Sequence, residues 1–362
     1  MTTNDNKTLE TQHDFLAAAG WSDATAHALA GDASTRRYLR LHKDGRDAVL
    51  MIAPPAAETA PCPPEADVAE RQRLGYNATA RLAGPNLHAF IGVANALRAA
   101  GLSAPEIYAA EPACGLALIE DLGDSLFTRI TAAVDERDIY SAAIDVLVAM
   151  RTHPPARPAS SDYTMLDYDG AALVAEAELL INWYWPLKTG GDAPDDLKAE
   201  YLEIVSTLAR SLSPPHAVVL RDFHAENLLW LPDRTGVKRV GLIDFQDGLY
   251  GGAAYDLVSL LEDARRDVAP ELASAMMYLY CLQAQKAGAF DRGAFLHDYA
   301  VLAAQRNAKI LGIFARLAKR DNKPRYLDLL PRVEAHFRQD LKRPGLENLH
   351  RFFASHMPDL IT

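Results

Sequence analysis

Apolar and polar positions alternate in several short runs of the chain, and turn residues separate these runs. In residues 37–52, the runs Tyr38-Leu-Arg-Leu-His42 and Ala48-Val-Leu-Met-Ile52 flank Lys43-Asp-Gly45. An Asp-Gly turn between two such runs predicts a β-hairpin. The runs Ile107-Tyr-Ala and Leu116-Ala-Leu-Ile-Glu120 flank a Pro-to-Gly turn and predict two more strands. Together these runs predict an antiparallel sheet of about five strands.

Helical patterns occupy most of the remaining chain. Residues 8–30 predict a helix on the outside of the sheet, and residues 65–101 predict a helix broken at Gly84-Pro85. Residues 139–150 are strongly amphipathic, and helix formers dominate after residue 255. A chain of 362 residues exceeds what one core usually supports. We therefore expect an α+β fold of two lobes, the first built on the sheet and the second mainly helical.

The most informative stretch is residues 218–248, which reads as strand, loop, strand, turn and strand. The pattern places Asp222, Asn227 and Asp244 near strand ends. Asp222 and Asn227 are five residues apart, the spacing of the catalytic Asp and the metal-binding Asn in kinase catalytic loops. The hairpin that follows is long enough to return the chain to this loop, so Asp244 stands where a second metal ligand is needed.

Phosphoryl transfer explains why these residue types would be needed together. A hydroxyl nucleophile needs a carboxylate that accepts its proton, which would be Asp222. Mg²⁺ prefers oxygen ligands, so the amide of Asn227 and the carboxylate of Asp244 would complete its coordination with ATP phosphates. Taken singly, each of the three reads more simply as a turn or capping residue. Taken together, their spacing predicts an ATP- and Mg²⁺-dependent kinase.

A loop of small residues opens the first hairpin and is a candidate phosphate-binding segment. Ser34 and Thr35 lie in it, and Arg36 and Arg37 add positive charge. The alternative is a plain turn. The kinase pattern calls for a lysine at the end of the following strand, where this chain has Met51. Either Arg36 or Arg37 replaces that lysine, or phosphate binding is weakened.

Two sequence motifs carry a family resemblance. Arg221-Asp-Phe-His-Ala-Glu-Asn227 and Ile243-Asp-Phe-Gln-Asp247 resemble the aminoglycoside-phosphotransferase-like kinases. Four further segments resemble the bacterial anomeric N-acetylmuramate/N-acetylglucosamine kinases: Gly31-Asp-Ala-Ser-Thr-Arg-Arg-Tyr38, Phe245-Gln-Asp247, Tyr255-Asp-Leu-Val-Ser-Leu260 and Leu311-Gly-Ile-Phe-Ala-Arg-Leu317. The resemblance extends from about residue 31 to residue 332.

The resemblance implies a protein-kinase-like fold, with an N-lobe in residues 1–121 and a C-lobe in residues 122–362. It implies transfer of phosphate from ATP to the anomeric hydroxyl of an N-acetylated amino sugar, in the recycling of cell-wall sugars. Backbone groups of Glu120 and Leu122 would hydrogen-bond adenine at the hinge between the lobes. The alternative there is a strand-to-helix turn capped by Asp124. Asp256 would brace the catalytic loop.

Acceptor-binding residues are less defined by the pattern. Trp183 and Trp185 are candidates to stack on the sugar ring, with core packing as the alternative. Arg306 is a candidate for the lactyl carboxylate of N-acetylmuramate. It lies three residues from Lys309 on one helix face, and a pair of solvated surface cations is the alternative. Choline-like or aminoglycoside acceptors remain open, and as cations they would need acidic pockets.

Composition narrows the remaining function classes. A net charge of −11 argues against a general nucleic-acid-binding protein. Three widely separated cysteines predict a reducing compartment without structural zinc. The amino terminus is polar, and no run of eighteen apolar residues follows, so we expect a cytoplasmic protein. A catalytically silent nucleotide-binding module is the second class of function, favoured only by Met51.

Overall fold

The computed structural model describes residues 3–29, 36–54 and 62–361, and the side chains from residue 11 onward within these ranges. The amino-terminal lobe is organised around a five-stranded antiparallel sheet of order β1-β2-β3-β5-β4. Its elements are α1 (Thr3–Ala18), β1 (Thr25–Ala28), β2 (Arg37–Lys43), β3 (Arg46–Ile52), α2 (Val68–Leu74), α3 (Tyr76–Thr79), α4 (Leu87–Ala99), β4 (Ile107–Glu111) and β5 (Leu116–Glu120).

The central strand β3 is covered on both faces. Val49 and Met51 pack into a core shared with α4, where Phe90 lies. Leu50 and Ile52 point to the opposite face, into a cluster that includes Trp21 and Leu41. Side chains alternate across a strand, so each of the two clusters receives every second residue of β3. The predicted β2–β3 hairpin is confirmed, and its turn has positive φ at both Asp44 (51°) and Gly45 (72°).

Two expectations for this lobe are corrected. The helix predicted for residues 8–30 ends at Ala18, and β1 pairs with β2 beyond it. Gly20, at φ 78°, follows the end of this helix and lets the chain turn. The helix predicted for residues 65–101 has the predicted break at Gly84-Pro85, before α4, but it also has a second break at Gly75, which adopts φ 98° between α2 and α3.

The second lobe is mainly helical, as predicted. Its elements are α5 (Phe127–Ile130), α6 (Glu136–Thr152), α7 (Gly170–Leu179), α8 (Trp185–Thr189), α9 (Asp195–Arg210), β6 (Ala217–Val219), β7 (Leu228–Trp230), β8 (Val240–Leu242), β9 (Leu249–Gly251), α10 (Ala254–Leu261), α11 (Pro270–Ala287), α12 (Arg292–Lys319), α13 (Leu330–Asp340), α14 (Glu347–His356) and α15 (Pro358–Ile361). Strand β6 pairs with β9, and β7 pairs with β8. The predicted α+β fold class is confirmed, whereas the lobe boundary at residues 121/122 stays a prediction.

The long helix α12 crosses the interior of this lobe. Asp291 caps it by accepting a hydrogen bond from the amide of Ala294. The helix packs against α7 and the turn of π-helix at Leu180–Tyr184. At Gly312 the approach is so close that a Cβ atom would overlap the backbone of Leu179. Because α12 contributes to both large cores of the protein, most of its residues are buried.

None of the helices in the described ranges combines the length and the apolar character needed to cross a membrane.

Candidate active site

The catalytic loop leaves β6 and is fixed by a buried carboxylate. Asp256, at the start of α10, accepts hydrogen bonds from the amides of Leu220 (2.7 Å) and Arg221 (2.9 Å). Arg221 has a φ of 70°, a strained value for a residue with a side chain. These two hydrogen bonds, together with the ion pair between Arg221 and the buried Glu176, hold it there. Asp256 therefore braces the loop, as the kinase pattern predicted.

The three predicted chemical residues lie together at the end of this loop. Asn227 Nδ2 donates to the backbone oxygen of Asp222 at 3.1 Å and lies 3.5 Å from Oδ2 of Asp244. The β7–β8 hairpin brings Asp244 back to the loop, since Leu228 pairs with Leu242 and the amide of Ile243 donates to the oxygen of Asn227. Local strand pairing thus produces the convergence that the spacing predicted.

The charges around Asp222 keep its carboxylate ionised. Burial alone would raise its pKa, but the charge of Lys309 and contributions from His224, Arg221 and Arg265 outweigh burial and lower the pKa. Burial lowers the pKa of His224 to about 4, so its ring is neutral at neutral pH. Lys309 and the two arginines therefore supply the positive charge at that pH. An ionised carboxylate is the state that can accept a proton.

Asp244 is the second carboxylate of the site. Its Oδ1 accepts a hydrogen bond of 2.8 Å from Nε2 of Gln246. Desolvation raises its pKa, and the charge of Asp222 raises it further. The side chain still exposes 46% of its surface, so a cation can reach it. The negative charges of Asp222 and Asp244 repel each other unless positive charge lies near them.

The predicted phosphate-binding loop falls partly outside the described residues, because Ser34 and Thr35 lie there. Arg36 and Arg37, which follow this loop, have different surroundings. Arg36 is 10% exposed, donates from Nη2 to the oxygen of Gly84 at 2.7 Å, and places Nη1 3.9 Å from Oδ1 of Asp244. Arg37 begins β2 with an exposed side chain. Met51, at the lysine position of kinases, is fully buried in the core.

The predicted hinge is a tightly anchored segment. Glu120 ends β5, and its carboxylate accepts from Arg234 Nη2 at 2.5 Å and Arg98 Nη1 at 3.4 Å. Leu122 lies against β8, with Cδ1 3.3 Å from where a Cβ of Gly241 would stand. The alternative helix cap is wrong, because Asp124 binds Arg40 and α5 has no side-chain cap. The contact of Glu120 and Leu122 with adenine stays a prediction.

Two side chains that were predicted to bind the acceptor sugar are buried in the core of the protein. Trp185 is 6% exposed and lies in the second core, so it packs rather than stacks on a sugar. Arg306 is 4% exposed and donates to Ser259 Oγ at 2.9 Å and to the oxygen of Glu262 at 3.3 Å. Arg306 is therefore neither the solvated surface cation nor a cation open to a ligand. Trp183 is half-buried and lines a cleft.

Sequence reasoning missed a buried ion network behind the catalytic loop. Glu176 is fully buried, receives hydrogen bonds from Tyr168 and Gln305, and pairs with Arg221 and with Lys309, whose Nζ is 2.9 Å away. The alternative of a solvated surface cation is therefore wrong for Lys309 as well. The one signal in the sequence was the pair of glutamates, Glu176 and Glu178, within the small and apolar run of α7, because an acidic residue that is buried there must have a partner.

Several known proteins are similar to this chain in sequence or in fold. A model of the phosphotransferase enzyme family matches residues 25–296. A protein from Caulobacter vibrioides named N-acetylmuramate/N-acetylglucosamine kinase is 44% identical over 351 residues, which are 95% of each chain. A Pseudomonas putida protein of the same name is 30% identical over 353 residues, 95% of this chain and 93% of its own.

The solved structure of a choline/ethanolamine kinase family protein from Mesorhizobium loti has a TM-score of 0.56 to this chain. It is 15% identical, and the match covers 95% of this chain and 98% of the other. At that identity the likeness concerns the fold alone, and it agrees with the two-lobed arrangement. With the family model matching most of the chain and relatives aligned over nearly its whole length, the chain belongs to the phosphotransferase enzyme family.

Proposed function

We propose that this protein is an ATP- and Mg²⁺-dependent kinase that phosphorylates the anomeric hydroxyl of N-acetylmuramate and N-acetylglucosamine. The product would be the sugar 1-phosphate. The observation that carries the proposal is the convergence of Asp222, Asn227 and Asp244 on a braced catalytic loop. The relatives named N-acetylmuramate/N-acetylglucosamine kinase support the choice of acceptor.

Asp222 would accept the proton of the acceptor hydroxyl. As the O–H bond breaks, the oxygen attacks the γ-phosphorus of ATP, and the bond from that phosphorus to the β-γ bridging oxygen breaks to release ADP. The anomeric hydroxyl of a sugar is a hemiacetal and is more acidic than the other ring hydroxyls. A carboxylate base therefore meets a smaller barrier to proton transfer at this position.

Asn227 and Asp244 fit a hard divalent cation. Their donors are an amide and a carboxylate, and a cation held by them would relieve the repulsion between Asp222 and Asp244. Mg²⁺ would neutralise charge on the phosphates of ATP when bound there. An amide ligand also explains why the described residues hold no cluster of three histidine, cysteine or acidic side chains suited to a metal.

The nucleotide would lie between the sheet and the catalytic loop. Arg36 faces Asp244 and can supply the charge that Met51 does not, with Ser34 and Thr35 preceding it in the sequence. Backbone groups of Glu120 and Leu122 would bind adenine at the hinge, which the ion pairs of Glu120 hold in place. Proteins commonly bind phosphate with an arginine and with the backbone amides of small residues.

Phosphorus NMR of the product tests this function. The protein is incubated with ATP, Mg²⁺ and either N-acetylmuramate or N-acetylglucosamine. We expect a phosphomonoester signal coupled to the anomeric proton. A 6-phosphate would couple to a methylene instead, and that result, or no transfer to either sugar, contradicts the proposal. Choline and an aminoglycoside run in parallel show whether the chain is a kinase of a different acceptor.

A further inference from the structure

The proposed transfer step gives no role to His224, which lies in the catalytic loop between Asp222 and Asn227. The backbone of His224 is joined to both. Its amide donates to the oxygen of Asp222 at 3.0 Å, and its oxygen accepts from the amide of Asn227 at 2.8 Å. The residue is 3% exposed. A buried imidazole in this position has to find its hydrogen-bond partners among the atoms of the site itself.

Both neighbours of the ring nitrogen Nε2 are hydrogen-bond donors. Arg265 Nη1 lies 3.0 Å from it, and Nδ2 of Asn227 lies 3.4 Å from it. A guanidinium has no acceptor and an amide nitrogen only donates, so Nε2 must be the unprotonated nitrogen of the ring. The proton of the neutral ring is then on Nδ1, which is buried and has no hydrogen-bond partner in the described part of the chain. The contacts that orient the ring are therefore those of Nε2.

Arg265 is held against the ring from two sides. The buried carboxylate of Asp263 accepts hydrogen bonds from the amide of Arg265 at 2.8 Å and from the amide of Ala225 at 3.4 Å. The guanidinium of Arg265 also pairs with Glu226 at 3.2 Å. These contacts join the segment after α10 to the catalytic loop. The arginine that requires an acceptor at Nε2 of His224 is thus fixed in place.

The side-chain amide of Asn227 has two N–H bonds and three acceptors near its nitrogen. The distances from Nδ2 are 3.1 Å to the backbone oxygen of Asp222, 3.4 Å to Nε2 of His224 and 3.5 Å to Oδ2 of Asp244. The two nearer acceptors can take both hydrogens, which leaves none for Asp244. Oδ1 of Asn227 makes no hydrogen bond among the described residues. An amide oxygen is a ligand that suits Mg²⁺.

The competition between His224 and Asp244 for this amide proton matters because an ionised carboxylate is the stronger acceptor. Without the ring nitrogen, the second N–H of Asn227 would turn to Asp244 and form a charge-assisted hydrogen bond. A cation would then have to break that bond before the carboxylate could bind it. With the ring nitrogen in place, the amide proton is held away from the carboxylate.

We propose that His224 is the positioning residue of the cation site: Nε2 holds one amide proton of Asn227, so that Oδ1 of Asn227 and the carboxylate of Asp244 both stay available to a divalent cation. The inference rests on the proposed function, in which Asn227 and Asp244 are the metal ligands. His224 does not bind the cation. It acts through Asn227, as groups that orient a metal ligand commonly do.

The affinity for Mn²⁺, measured by EPR with the enzyme saturated with ADP, tests this role without turnover. We expect His224→Leu to raise the Kd for Mn²⁺ by about 10- to 100-fold, the usual effect of losing a group that orients a metal ligand. His224→Gln can place its side-chain oxygen near the position of Nε2, so its Kd should stay close to that of the wild type. His216→Leu is the matched control, because it removes a half-buried histidine at the other end of β6, where Nδ1 contacts the oxygen of Pro214.

The affinity for ADP in the presence of EDTA separates a positioning role from damage to the loop. It should be the same in the wild type and in all three variants, because the role assigned to His224 concerns the cation alone. The inference is overturned if His224→Leu keeps the wild-type Kd for Mn²⁺, or if His224→Gln weakens Mn²⁺ binding as much as His224→Leu. It is also overturned if metal-free ADP binding falls together with Mn²⁺ binding.

Nitrogen NMR of the wild type with isotope-labelled histidine supplies a measurement that does not depend on the stability of His224→Leu. The signals of His224 are identified by their loss in His224→Gln, and we expect them to show the proton on Nδ1. A proton on Nε2 would exclude the hydrogen bond from Asn227 and overturn the inference. A wild type that binds Mn²⁺ and responds to the substitutions as expected, but phosphorylates neither sugar, would overturn the proposed function and support the role of His224. A wild type that does not bind Mn²⁺ would overturn both.

Discussion

Arg36 Nη1 lies 3.9 Å from Asp244 Oδ1, which places a cation from the start of the first hairpin beside a carboxylate of the catalytic region. The lysine position of the kinase pattern is held by Met51, which is buried in the core and cannot approach a phosphate. Arg36 is largely buried and is held in place by the oxygen of Gly84. The charge that this fold usually supplies from a strand would therefore come from the residue that precedes β2.

Arg36→Ala should raise the KM for ATP by about 10-fold or more, since a charge-assisted contact with a phosphate would be lost. Arg37→Ala is the matched control, because its side chain is the neighbouring arginine but is exposed. Steady-state kinetics with varied ATP decide the question. Unchanged KM values in both variants would show that neither arginine binds the nucleotide.

Asp222→Asn should lower kcat by about 10² to 10⁴, because the amide keeps the shape of the side chain but cannot accept a proton. ATP affinity should stay close to that of the wild type, as measured by fluorescence of a nucleotide analogue. A variant with full turnover would remove Asp222 from the mechanism. Loss of nucleotide binding would mean instead that the substitution disturbed the loop.

Asp244→Ala should abolish the activation by Mg²⁺, since the neutral amide of Asn227 would be left as the protein ligand of a strongly hydrated ion. Activity is measured as a function of Mg²⁺ concentration at fixed ATP. Gln246→Ala is a useful companion, because it removes only the 2.8 Å hydrogen bond to Asp244 and should shift the Mg²⁺ response less. An Asp244→Ala enzyme with the wild-type Mg²⁺ response would show that Asp244 is not a ligand.

Asp256 should make the stability of the protein fall as pH rises. Burial raises its pKa from 3.8 to about 7 in the folded protein. Between these two values the folded state keeps a proton that the unfolded state releases, so the stabilisation is complete below the lower value and is lost as pH passes the upper one. The full change amounts to about 4 kcal/mol at most.

Urea unfolding of the wild type and Asp256→Asn across this pH range tests that effect. Asparagine cannot titrate, so the difference in unfolding free energy between wild type and variant should move in favour of the variant as pH rises from about 4 to about 7. If the unfolding free energies of the two proteins changed with pH in parallel, Asp256 would have an ordinary pKa.

Asp169→Ala should lower the unfolding free energy by about 2 to 4 kcal/mol, because it leaves the buried Arg71 without its partner and removes the cap of α7. Asp169 accepts hydrogen bonds from Arg71 at 2.7 and 3.0 Å and from Arg81 at 2.9 Å. Asp169→Asn keeps a capping side chain and loses the charge, so it should cost about 1 kcal/mol less than alanine. Equal midpoints of urea unfolding for wild type and alanine variant would contradict this account.

The catalytic hairpin could be predicted from the sequence because the interactions that determine it are local. Turn residues, strand periodicity and the five-residue spacing of Asp222 and Asn227 all act within thirty-one residues, 218–248. The same is true of the β2–β3 hairpin, whose Asp-Gly turn needs positive φ at both positions. Strand β1 was missed because its four residues, Thr-Ala-His-Ala, are exposed and include no large apolar side chain, so only pairing with β2 defines it.

Tertiary structure alone decided which charges are buried and which are free. On α12, Arg306 and Lys309 look like surface cations, and Arg316 looks no different from them. Packing buries Arg306 against Ser259, pairs Lys309 with Glu176, and leaves Arg316 facing a cleft. A sequence gives the charge of a side chain, but the cost of desolvating it and the partner that compensates it depend on residues distant in the chain.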